Sequence, residues 1–67
     1  MAVARVTEVT ASSEKSWLDA VDEAMSRASK TLRGITGLEV VSQKAKVENG
    51  KILEYRVAVK IMFILED

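Results

Sequence analysis

Ile52-Leu53-Glu54-Tyr55-Arg56-Val57-Ala58-Val59-Lys60-Ile61-Met62-Phe63-Ile64-Leu65 decides the fold. Its odd positions, Leu53, Tyr55, Val57, Val59, Ile61, Phe63 and Leu65, form an unbroken apolar row. Its even positions carry Glu54, Arg56 and Lys60, interrupted by Ala58, Met62 and Ile64. A period of two over this length predicts a strand with one buried face. At 3.3 Å per residue it would run about 46 Å. The one helix candidate, Ser16 to Arg33, reaches about 27 Å at 1.5 Å per residue. One helix cannot cover such a face, so further copies of the chain are expected to complete it.

Composition points the same way. The 67 residues are read as one domain, 1–67, of a size that buries only about 60% of its unfolded surface. Domains this small add disulfides, a metal or oligomerisation. The chain has no cysteine and no histidine, which excludes disulfides, thiolate metal sites and the commonest general base. Oligomerisation is the remaining route. Ten basic and ten acidic residues cancel, which speaks against nucleic acid as the main partner. No apolar run approaches the roughly 20 residues of a membrane span, and Met1 to Arg5 does not read as a signal peptide. A cytoplasmic protein is expected. No nucleophile, base and orienter are assembled by spacing, so no enzyme is expected.

Outward from the opening stretch, Glu48-Asn49-Gly50-Lys51 predicts a two-residue type I′ turn joining it to a strand over Gly37 to Val47. Closing the hairpin there pairs positions whose numbers sum to 99. Val40 then faces Val59 and Leu38 faces Ile61 under the helix. On the other face Glu39 meets Lys60, Gln43 meets Arg56 and Val41 meets Ala58. The same register sets Lys44 and Lys46 on the apolar parity beside Tyr55 and Leu53. Either a bulge intervenes, or that end of the hairpin leaves the core and serves an interface or site.

Trp17, Ala20, Val21, Ala24, Ala28 and Leu32 recur at helical spacing and form one apolar stripe. Ser12, Ser13 and Ser16 are candidate caps, and Ser16 with Asp19 resembles a capping box. Gly34 is placed to end the helix in the left-handed conformation. Val3 to Thr10 is rich in β-branched residues and predicts a first strand, its inward face left open. The order is β-α-β-β.

With that order, the chain resembles the dodecins over essentially its whole length. The likeness is carried by Thr10-Ala11-Ser12-Ser13, Ser16-Trp17, Asp19-Ala20-Val21, Arg27 to Arg33, Glu39-Val40, the hairpin, and Glu54-Tyr55-Arg56-Val57 to Phe63. The resemblance implies an α+β protomer, a three-stranded antiparallel sheet partly wrapped around one helix, assembled as a hollow homododecamer. It further implies non-enzymatic binding of flavin, riboflavin or FMN, for storage or buffering at sites between subunits. In typical members a tryptophan early in the second strand stacks on the flavin, and a glutamine after the tyrosine of the third strand hydrogen-bonds it. Here those positions hold Gly37 and Arg56. Glycine forfeits a stacking contribution of roughly 0.5–1.5 kcal/mol, and arginine offers only donors and a fixed charge. Trp17, on the helix stripe, cannot stand in.

The expected binding residues are therefore Gly37, Gln43, Lys44 and Arg56, with Lys44 and Lys46 beside Tyr55 suited to a phosphate or a coenzyme tail. The chain resembles a tryptophan-lacking branch similar to calcium-binding dodecins, so the alternative is a flavin-free shell binding calcium or an anionic coenzyme such as coenzyme A. Calcium needs several oxygen ligands; Glu8, Asp19, Asp22, Glu23, Glu66 and Asp67 are the candidates, with no metal-ligand set assigned. Arg56 alternatively forms an ion pair with Glu39 or Glu54.

Overall fold

A computed structural model describes residues 3–65. The chain runs β1 (Val3–Ser13), α1 (Trp17–Thr31), β2 (Ile35–Glu48) and β3 (Lys51–Leu65). The sheet is antiparallel with order β1-β3-β2, so β3, the strand with the unbroken apolar row, is its centre. The alternation of β3 has the expected consequence. Val57, Val59 and Ile61 are buried against Ala20, Ala24 and Ala28 of the helix stripe, and Ile61 and Val59 are the largest fully buried side chains among the described residues. Alanine at the contact lets α1 lie close against β1 and β3. Val9 and Ala11 from β1, and Leu38 and Ile35 from β2, pack around this core.

The start of α1 is fixed by two hydroxyls and a carboxylate. Ser16 is the N-cap and its Oγ accepts from the Asp19 amide at 2.9 Å. Asp19 does not close the expected capping box by bonding back to the Ser16 amide. Its carboxylate accepts from Ser13 Oγ at 2.6 Å, and Ser13 Oγ accepts from the Lys15 and Ser16 amides. Ser13 can play this part because β1 continues past Thr10, the end expected from the sequence. The helix also stops earlier than expected, at Thr31, where the Leu32 amide bonds Ala28 O. Gly34 is left-handed (φ +72°) but lies beyond the cap. It turns the chain into β2, where its carbonyl accepts from the Ile64 amide at 3.0 Å. A Cβ there would sit 3.0 Å from Ile64 O, so the close approach to β3, and not helix termination, is what requires glycine.

At the hairpin, Asn49 (φ 52°) and Gly50 (φ 75°) both take the positive φ of a type I′ turn. Register follows the sum of 99 on both sides of the middle of the hairpin, Val47 with Ile52, then Val40 with Val59, Glu39 with Lys60 and Leu38 with Ile61, and shifts again beyond Gly37, where Ile35 pairs with Phe63. In the middle it is displaced by one. Leu53 on β3 and Val41 on β2 have no partner, and between these bulges Lys46 pairs with Glu54, Ala45 with Tyr55, Lys44 with Arg56, Gln43 with Val57 and Ser42 with Ala58. The expected pairs Gln43–Arg56 and Val41–Ala58 are therefore corrected, as is the placement of Lys44 and Lys46 beside Tyr55 and Leu53. A bulge shifts parity by one and turns every enclosed side chain to the other face.

Candidate functional site

The face of the sheet away from α1 carries the candidate site, and its floor is set by register. Across the three strands lie Thr10, Ala58 and Ser42 in one row and Ser12, Arg56 and Lys44 in the next. Three hydroxyls and the small Ala58 leave a hollow of about 470 Å³, walled by Lys44, Arg56 and Glu54. Lys44 and Arg56 stand directly opposite each other. Like charges so placed are destabilising in a sheet. Glu54 bonds Arg56 Nε at 2.5 Å, resolving the expected ion pair in favour of Glu54 over Glu39, and it faces Lys46 across the strands. The hollow thus gathers two cations, one carboxylate and three hydroxyls, an arrangement suited to an oxyanion.

On the helix side, Trp17 packs edge-on against Tyr55, with ring centroids 4.8 Å apart at 77°. Its indole N–H donates to the Lys44 carbonyl at 2.9 Å, joining the start of α1 to the strand that carries the cation.

Of the four residues expected from the sequence, the fold brings two together, Lys44 and Arg56. Gln43 faces the helix side opposite Val57. Gly37 shares the outer face but pairs with Met62, and Met62 lies six residues from Arg56, about 20 Å along the strand. A site using both Gly37 and Arg56 must draw them from different protomers. Sequence reasoning missed Ser12, Ser42, Thr10 and the facing of Lys44. The signal for it was present: two lysines on an apolar parity implied a bulge.

A second hollow, about 510 Å³, runs between the edge of β1 and α1. Its two charged side chains, Glu23 and Arg27, bond each other at 3.3 Å. For a divalent cation, Asp19 is engaged by Ser13 and Glu23 by Arg27, and Glu8 pairs in register with Lys60. No three carboxylates cluster among the described residues; Glu66 and Asp67 lie outside them. No helix among those residues is long and apolar enough to cross a membrane.

These features define a class: a β-α-β-β protomer with an open, amphipathic sheet carrying a polar hollow on its exposed face. The dodecin family model matches residues 3–66, and the chain belongs to the dodecin family. It superposes on the Streptomyces coelicolor dodecin with TM-score 0.92 at 36% identity, covering 98% of this chain and 94% of that one. An arginine-to-alanine variant of the Thermus thermophilus dodecin matches with TM-score 0.94 at 30% identity over 100% of both chains. The calcium dodecin of Mycobacterium tuberculosis, a calcium-chelating immunodominant antigen with a novel calcium-binding site, matches with TM-score 0.81 at 31% identity, covering 96% and 91%. No curated protein matches the chain.

Proposed function

We propose that the protein is a cytoplasmic, non-enzymatic store for a small anionic ligand, assembled as a hollow dodecamer, with a flavin as the ligand and FMN favoured over riboflavin. The observation that carries this reading is the opposed pair Lys44 and Arg56 over a hydroxyl-lined hollow, with Glu54 as the one carboxylate in its wall. A bound phosphate would relieve the repulsion between the two cations, and Arg56 can meet it with a fork of donors. Gly37, Lys44 and Arg56 would line the site, with Gly37 supplied by a neighbouring copy. Gln43 is the weakest of the expected binders, since it faces the helix side.

Calcium is the second reading, supported by the likeness to the calcium dodecin. In this reading copies related by symmetry would bring carboxylates together. The cations around the hollow favour the anion.

Titration of purified protein into riboflavin and into FMN, read by flavin fluorescence, tests the reading. Charge-assisted hydrogen bonds to the phosphate should make FMN bind about tenfold tighter, a preference that shrinks with added salt. Saturable quenching by neither flavin, with calcium raising thermal stability instead, would overturn it in favour of the second reading.

A further inference from the structure

The two bulges that flank Lys44 lie on opposite strands, Leu53 on β3 and Val41 on β2, so their displacements cancel. Sliding the stretch 41–46 of β2 by one residue would remove both and give one continuous register. Val41 would then pair with Ala58, Gln43 with Arg56 and Lys44 with Tyr55. A one-residue slide moves every enclosed side chain to the opposite face. Lys44 and Lys46 would leave the hollow and lie on the helix side, and Gln43 would take the place opposite Arg56. The backbone ladder is nearly blind to such a slide, because one peptide replaces the next. The choice of register has to be made by side chains.

The helix side shows which ones. In the observed register the residue beside Tyr55 is Ala45. Trp17 packs against Tyr55 and reaches across to bond the Lys44 carbonyl at 2.9 Å. A methyl group at position 45 leaves room for that approach. In the slid register the four-carbon stem of Lys44 would occupy the same place, between the indole and the strand, and its ammonium would be drawn toward two aromatic rings and an apolar row. We infer that Trp17 and Ala45 together set the register of β2, with Trp17 the positioning residue that keeps Lys44 on the Arg56 face. The role depends on the pairing of two strands and stands whichever ligand occupies the hollow, so it survives or fails separately from the FMN reading.

The chain has no native cysteine, which makes disulfide trapping direct. Paired positions in an antiparallel sheet lie about 4.5–5.5 Å apart at Cα, within disulfide reach. Two double variants are made, Ser42→Cys with Ala58→Cys and Val41→Cys with Ala58→Cys, leaving Lys44 and Arg56 intact. They are oxidised, and intramolecular bridging is read by mass. With Trp17 present, the 42–58 pair should bridge in preference to the 41–58 pair. Trp17→Phe replaces the indole with a smaller ring and makes room beside Tyr55 for a lysine stem. Ala45→Leu crowds the indole in the observed register, whereas in the slid register position 45 would lie on the outer face. Each should lower the ratio of the two bridges by about fivefold. Circular dichroism checks that each variant is folded. An unchanged ratio in folded Trp17→Phe and Ala45→Leu proteins overturns the inference. So does predominance of the 41–58 bridge in the protein that retains Trp17 and Ala45, a result that needs neither further variant to fold.

Discussion

Gly37 leaves no empty notch. A Cβ added there would meet Met62 Cε at 3.3 Å, so the methionine already leans over the glycine from the facing strand. An added side chain is tolerable only because that obstacle is the free end of a flexible thioether. Arg56 limits the site differently: it donates through a rigid fork and accepts nothing, so a ligand edge offering its own N–H cannot be matched. Gly37→Trp combined with Arg56→Gln should restore both an aromatic plane and an amide that donates and accepts. Riboflavin affinity should rise by at least about twofold to tenfold, the equivalent of one stacking contact, as read by fluorescence quenching. Unchanged affinity in a variant that still assembles would place the ring away from Gly37.

At the scale of elements, the helix–sheet contact is closed by methyl groups. Ala20, Ala24 and Ala28 set the spacing between α1 and the sheet, and Val57, Val59 and Ile61 fill it. Ala24→Leu should force the layers apart and destabilise the protein by about 1–3 kcal/mol, measured as a lower denaturation midpoint. Equal or greater stability would show that α1 sits loosely on the sheet.

These elements were legible in the sequence because each rests on a local pattern. The parity of β3, the alanine stripe of α1 and the Asn49-Gly50 turn depend on residues close in sequence, and each appears where the pattern places it. The middle of the hairpin was not legible from the turn alone. A turn propagates register only until the first bulge, and the second bulge restores the sum of 99 by Val40, so the pairs of Leu38, Glu39 and Val40 hold while Gln43 and Val41 are misassigned. The cation pair of the candidate site lies inside that displaced stretch. Gly34 is left-handed as its place after the helix suggests, but it does not end the helix, for a related reason. Its positive φ serves contact with Ile64, a residue 30 positions away, and a local helix-ending rule cannot see that contact.

The whole protomer measures 53 × 19 × 12 Å. β3 spans about 50 Å while α1, also 15 residues, spans about 22 Å, so the excess of strand over helix expected from the sequence is present. It leaves Val47, Ile52 and Leu53 exposed at the hairpin end, Val3 and Leu65 at the other, and Val6 and Ile64 on the outer face. Leu18 on the helix is 70% exposed. β1 and β2 both present sheet edges as well, and such edges need covering. The protomer should accordingly be obligately oligomeric. Analytical ultracentrifugation at micromolar concentration is expected to find a large assembly and no folded monomer, with dissociation and unfolding coinciding. A stable folded monomer would refute this.

The strand order β1-β3-β2 also imposes a timetable on the growing chain. β2 and β3 are joined by two residues and can pair as soon as both have been synthesised, whereas β1 is made first and its sole strand partner last. At roughly 5–20 residues per second, the 52 positions from Ser13 to Leu65 take about 3–10 seconds to translate. For that interval the nascent β1, with Val3, Val6 and Val9, waits with only α1 to lean on. The nascent chain therefore carries β1 unmatched until β3 has been made, and the sheet closes only once the whole β2–β3 hairpin is available.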